Sequence, residues 1–232
     1  MAEEGFLERM SHWQASAAEA TGVWAERRRL AAAMRTVIDR LIQSDAPEEE
    51  LAQAADRLEQ YAEHLRSHPK SHRYDSWHET SLAGDAHGFF DQSPLIGRAN
   101  PLAPPIEIEA DPDGVHAHGR VVFGAAYEGP PGCVHGGLIA AAFDEVLGFA
   151  NSLAGEPGMT GTLTIRYRRP TPLHTPLRFA ARLDRVEGRK VFTMGEVFAS
   201  DELCAEAEGI FVRVDREKFR ALYEKSKSRA SD

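Results

Sequence analysis

Leu30, Met34, Val37, Ile38 and Leu41 recur at steps of three and four, with Glu26 to Arg29, Arg35 and Arg40 falling on the other side, which predicts an amphipathic helix. A second helix follows, with Leu51, Ala55, Leu58, Ala62 and Leu65 along one face. Asp45 and Glu48 have the spacing of a capping box, Pro47 stands near the first turn, and Pro69 ends the helix. From about Ser67 to Pro105, His, Ser, Gly and Pro mix with a few aromatics and no period is sustained, so a linker or irregular wrap is expected there.

From Ile106 the period drops to two. Val115, Ala117, Gly119, Val121 and Phe123 alternate with His116, His118, Arg120 and Val122, as along a strand with one buried face. The stretch "EGPPGCVHGG" breaks this pattern and opens an apolar helical run, "HGGLIAAAFDEVLGFA", from His135 to Ala150. Four more strand-like runs follow, "TLTIRY", "LRFAARLD", "KVFTMGEVFAS" and "CAEAEGIFVRV". Their short connections, "TPLHTP", "VEGR" and "SDE", suit antiparallel neighbours. One long helix among antiparallel strands predicts an α+β fold in which the sheet wraps round that helix. Ala140, Ala141 and Ala142 are expected to let the sheet approach closely, with Ile139, Phe143, Val146 and Ala150 filling the space between. The expected division is an N-terminal helical extension over 1–80, an irregular linker over 81–105, the strand-and-helix domain over 106–214 and a charged tail over 215–232, which reads as a short helix.

Length and composition narrow the class. The chain has 232 residues, enough for one catalytic-sized domain with an extension, and its 42% hydrophobic and 27% charged residues are those of a soluble globular protein. A net charge of -9 opposes the broad positive field that nucleic acid phosphates require, so no nucleic acid partner is expected. Cys133 and Cys204 form no CxxC pair, which argues against a disulfide framework or a cysteine zinc site and fits a reducing cytoplasm. The opening "MAEEGFLERM" lacks a basic and then apolar signal pattern, and no apolar stretch reaches bilayer length; a cytoplasmic protein without a membrane span is expected.

The candidate chemistry sits on the long helix. A helix start exposes backbone N–H groups and the positive end of the peptide dipoles, and Gly136 and Gly137 clear side chains away from it. A carbonyl oxygen that becomes an oxyanion would be stabilised there. Asp144 is a carboxylate in the apolar half of a core helix, costly unless paired or used. At roughly 100° and 1.5 Å per residue it lies about 180° round and about 13 Å along from His135. The two cannot meet on one helix. If both act on one substrate atom, a second subunit must supply one of them, which predicts two sites per homodimer at the interface. Gly148, one turn beyond Asp144, is expected to leave open space above the carboxylate, and Phe143, Leu147 and Phe149 to line an acyl pocket. Glu145 points about 100° away from Asp144 and reads as a solvated or rim residue.

"VHGGLIAAAFDEVLG", "GMTGTLTIRYRRPTPL" and "VEGRK", in that order, give the span from about Ile106 to Val214 a specific likeness. It resembles the hotdog-fold acyl-CoA thioesterases of the PaaI type, including the thioesterase superfamily members of animals. The resemblance implies a sheet wrapped round one helix, a dimer or dimer of dimers, and a coenzyme A thioester as substrate. It places Asp144 on the family's catalytic carboxylate, as nucleophile or as base toward water. His135, Gly136 and Gly137 fall on the thioester-carbonyl site, and Thr160 on the polar residue that orients water or the carboxylate. Neither a metal nor another cofactor is needed, because a thioester carbonyl is electrophilic and its thiolate leaves readily. Arg168 and Arg169 in "RYRRP", with Arg166, are plausible phosphate partners, as are Arg189 and Lys190 in "EGRK", where the family places nucleotide contacts.

Other constellations carry less. His116 and His118 share a strand face but lack an evident third ligand, and His64, His68, His72 and His78 read as a polar surface and linker. Cys133 reads as a small residue near a turn. No G-x-S-x-G elbow or P-loop occurs, against a serine hydrolase or a P-loop enzyme. The same scaffold also admits an acyl-thioester dehydratase or a non-catalytic acyl-CoA or lipid-binding module.

Overall fold

The computed structural model describes residues 20–69, 90–155 and 158–213. In chain order its elements are α1 (Gly22–Ile42), α2 (Glu48–Arg66), β1 (Glu107–Ala110), β2 (His116–Val121), α3 (Gly136–Ser152), β3 (Gly158–Tyr167), β4 (Leu177–Glu187), β5 (Lys190–Ala199) and β6 (Glu202–Arg213). The six strands form one antiparallel sheet in the order β1-β2-β4-β5-β6-β3. Helix α3 lies across it and touches every strand. This is the sheet wrapped round one helix expected from the alternating strands and the single apolar helix, and the hotdog arrangement that the resemblance implies; "TPLHTP", expected to join neighbours, instead leads from β3 at the sheet edge to β4 between β2 and β5. The proposed charged tail from Asp215 falls outside the described residues.

Inward-facing positions alternate along the strands. Ala117, Gly119 and Val121 of β2, Leu177, Phe179 and Ala181 of β4, and Val191, Thr193, Gly195 and Val197 of β5 are buried. They meet Ile139, Ala142, Phe143, Val146, Leu147, Phe149 and Ala150 of α3 in one apolar cluster. The close approach is made by the sheet more than by the helix. Ala140 and Ala141 are only half-buried, whereas a Cβ on Gly119 would stand 2.9 Å from Val146 and one on Gly195 3.0 Å from Leu147. Glycines in strands commonly mark such contacts. Phe143, Leu147 and Phe149, expected to line an acyl pocket, are instead fully enclosed core.

The N-terminal helices depart further from expectation. Helix α1 docks on the domain through a mostly polar stripe, Trp24, Arg28, Ala31, Arg35 and Asp39, rather than through its apolar one. Arg28 Nε donates to both oxygens of Asp91, at 3.0 and 3.1 Å, and Asp91 is 2% exposed. Arg35 donates to the carbonyls of Arg98 and Asn100. Asp39 Oδ1 accepts the Ala125 N–H at 2.8 Å, and a side chain on Gly124 would collide with that carboxylate. Unpaired buried charges are costly, so these partners define the docked face whatever the apolar period suggests. Helix α2 buries no residue. Its N-cap is Pro47 with no side-chain cap, so the Asp45–Glu48 capping box is not formed.

Candidate active site

Two segments of β3 hold the two halves of the candidate site. Between Thr160 and Thr162 the β3–β6 register slips by one residue at Gly161, a bulge of the kind that re-aims a side chain. Thr160 Oγ1 donates a 2.7 Å hydrogen bond to Asp144 Oδ1 on α3. At the far end of the strand, Tyr167 OH donates at 2.7 Å to the carbonyl of Gly136. Tyr167 lies among the arginines of "RYRRP", and its reach to the helix start is a feature that sequence spacing does not disclose.

His135 caps α3. Its Nδ1 accepts the Gly137 N–H at 3.0 Å, which places the proton of the neutral ring on Nε2. The Leu138 and Ile139 N–H groups turn back to the His135 carbonyl. The Gly137 amide is therefore occupied, and the helix-start amide without a hydrogen-bond partner among the described residues is that of Gly136, a half-buried residue. The approach to this end is shaped by the "EGPPG" turn: the His135 N–H donates to the Tyr127 carbonyl, Glu128 Oε1 accepts the Gly132 N–H, and Gly129 lies so close to His135 that a Cβ would be 2.7 Å from its Cα.

Within one protomer the two halves stay apart. Helix α3 is continuous from Gly136 to Ser152, so Asp144 lies about 13 Å along it from His135. Asp144 and Thr160 are both exposed. A Cβ on Gly148 would make ordinary van der Waals contact with Phe211 of β6, at 3.7 Å. Glu145 is half-buried rather than a solvated rim residue. Burial first, and the neighbouring charge of Asp144 second, push its carboxyl up to about 7.

The candidate phosphate ligands differ in their engagements. Arg168 pairs with Glu206, Arg169 with Glu202 at 2.7 Å, and Arg166 with Glu208 at 2.9 Å, all on the exposed sheet surface. Arg189 donates to the Arg213 carbonyl from the β4–β5 turn, whose Gly188 has φ +57°. Lys190 is exposed beside it.

His116 and His118 do have carboxylate neighbours. Asp113 contacts His116, and Asp111 Oδ2 lies 3.0 Å from His118 Nε2; Asp111, Asp113 and His116 are close enough to share an ion. Asp113 also accepts the N–H groups of Val115 and His116, so it already serves as a turn cap. The His116 side chain and those two amides hold the Asp113 carboxyl down at about 2. His64 and His68 meet edge to face at 5.1 Å, whereas His72 and His78 lie outside the described residues. No helix among the described residues is long and apolar enough to cross a membrane.

The model of the thioesterase superfamily matches residues 131–206. The acyl-coenzyme A thioesterase THEM4 of Bos taurus is 40% identical over 97 residues, 41% of this chain and 40% of that protein. The acyl-coenzyme A thioesterase THEM5 of Homo sapiens is 32% identical over 97 residues, 41% of this chain and 39% of that protein. The chain thus spans about two fifths of the length of the curated relatives it matches. A crystal structure of a thioesterase superfamily protein is similar over 80% of this chain and 94% of that one, at 36% identity and a TM-score of 0.69.

Proposed function

The chain belongs to the thioesterase superfamily, and from that membership we propose that it hydrolyses a coenzyme A thioester to the free acid and coenzyme A. The observation that carries this reading is the 2.7 Å bond from Thr160 to Asp144, which aims an exposed carboxylate at solvent beside a free sheet edge. The thioester carbonyl binds at the Gly136 N–H, where the helix dipole and that donor stabilise the oxyanion. Asp144 acts on the carbonyl carbon by one of two routes. In one, its oxygen attacks, the C–S bond breaks with release of thiolate, and water hydrolyses the resulting anhydride. In the other, it takes a proton from water as the water oxygen attacks, and the tetrahedral adduct then collapses as the C–S bond breaks and the thiolate leaves. Both routes use the same donors and consume one water.

Asp144 and Gly136 must then come from different protomers. Strand β3 is a ten-residue exposed edge, and such edges template pairing with another chain. Antiparallel pairing with a second copy, centred between Leu163 and Thr164, sets Thr160 opposite the partner's Tyr167. Each Asp144 would then approach the other protomer's helix start, giving two equivalent sites in a dimer. Arg189 and Lys190 at the β4–β5 turn receive the phosphates; Arg168 and Arg169 would first have to leave Glu206 and Glu202. The protein acts in the cytoplasm as a dimer or dimer of dimers. The test is thiol release from a panel of acyl-CoA esters by the purified chain. Release that Asp144→Asn abolishes with the fold intact supports the reading, and full turnover by that variant defeats it. Binding without release would identify an acyl-CoA-binding module instead.

A further inference from the structure

Helices α1 and α2 leave two matching apolar seams uncovered. Because α1 docks through Trp24, Arg28, Ala31, Arg35 and Asp39, its Leu30, Met34, Val37 and Leu41 stripe points roughly 130° away at 100° per residue, and Leu41 is 57% exposed. Helix α2 is exposed along its whole length, with Leu58 at 52%, so the α1 of its own chain does not cover it. Both seams have alternating three- and four-residue spacing, Leu30-Met34-Val37-Leu41 on α1 and Leu51-Ala55-Leu58-Ala62-Leu65 on α2. That is the repeat of helices that interlock side by side. The α1 seam holds large residues throughout, and the α2 seam alternates leucines with alanines that leave room for them.

We propose that α2 of one protomer packs on the exposed seam of α1 of a second copy, in reciprocal exchange. Charge selects this pairing. Helix α1 carries five arginines against two acids, and α2 six acids against two arginines, so α1 with α1 or α2 with α2 would bring like charges together. The five-residue connector, residues 43–47, ends on Pro47 in an extended conformation, and α2 beyond it buries no residue against its own chain, as a swapped hinge requires. A lipid surface fits less well: anionic headgroups would attract α1 and repel α2, although both present an open seam. The inference is independent of the catalytic reading, because neither seam contains a residue of the candidate site.

Two differently tagged full-length chains, one Met34→Cys and the other Ala55→Cys, each also Cys133→Ser, are co-expressed and oxidised; Cys204 is buried and stays. The proposal expects a disulfide joining the two tags, reduced at least tenfold when Leu51→Glu and Leu58→Glu are added to the Ala55→Cys chain. A single chain carrying both cysteines that closes on itself as a monomeric species overturns it. So does the absence of any 34–55 disulfide, whether or not the chain sediments with phosphatidylserine vesicles.

Discussion

Thr160 and Asp144 are sixteen residues apart in sequence and joined by a 2.7 Å hydrogen bond that links the edge strand to the middle of the central helix. The bond fixes one carboxylate oxygen, and the other is the one the proposed hydrolysis would use. Replacing Thr160 by valine keeps the shape and removes the donor. A hydrogen bond to a charged group contributes about 1.5–3 kcal/mol, so kcat is expected to fall about 10- to 100-fold with KM little changed. Thr160→Ser should stay within about threefold of the parent in the same steady-state assay.

Glu145 makes stability depend on pH. Burial pushes its carboxyl up to about 7 in the fold, from the ordinary glutamate value of 4.5 that holds in the unfolded chain. Between those values the folded state binds more protons than the unfolded one, so stability is greatest below about pH 4.5, falls as pH rises to about 7 and then levels. The full loss from this group is on the order of 3 kcal/mol. Urea unfolding at pH 5 and pH 8 should show that decline, and Glu145→Gln should remove most of it.

The helix sits close to the sheet because glycines face it. A methyl at Gly119 meets Val146 at 2.9 Å and one at Gly195 meets Leu147 at 3.0 Å. Overpacking of this kind costs about 1–3 kcal/mol. Gly119→Ala and Gly195→Ala should each lower the melting temperature, and pairing Gly119→Ala with Val146→Ala should recover part of the loss.

The wrapped sheet of the domain was legible because alternation marks most of its strands and one helix alone is apolar enough to be wrapped, but the strand order was not: the short "TPLHTP" suggests neighbours, yet β3 pairs with β6 at the edge while β4 lies between β2 and β5. The candidate site was legible in part. Asp144 drew notice as an acid in an apolar run, and "HGG" as a helix start. Sequence spacing did not show that His135 consumes the Gly137 amide, or that Tyr167 reaches Gly136, since both depend on side-chain direction at an element's end. Helix α1 misled for a different reason: its apolar stripe is the stronger periodic signal, yet Asp91, the Asn100 carbonyl and the Ala125 amide hold the opposing polar residues. Partners far along the chain decide such a face, and a local period carries no trace of them.

The central claim, one site built by two protomers, is tested most directly by subunit complementation. Asp144→Asn removes the carboxylate. Gly136→Pro removes the proposed oxyanion donor at a first helical position that accepts proline, behind a His135 already at φ -60° and ψ 130°. Each variant alone should be inactive. Co-refolded in equal amounts, half of randomly paired dimers are hybrids with one intact site in two, so thioester hydrolysis should return to about a quarter of the parent rate. Mixtures that stay inactive at every ratio, with hybrid dimers demonstrably formed, would contradict the shared site.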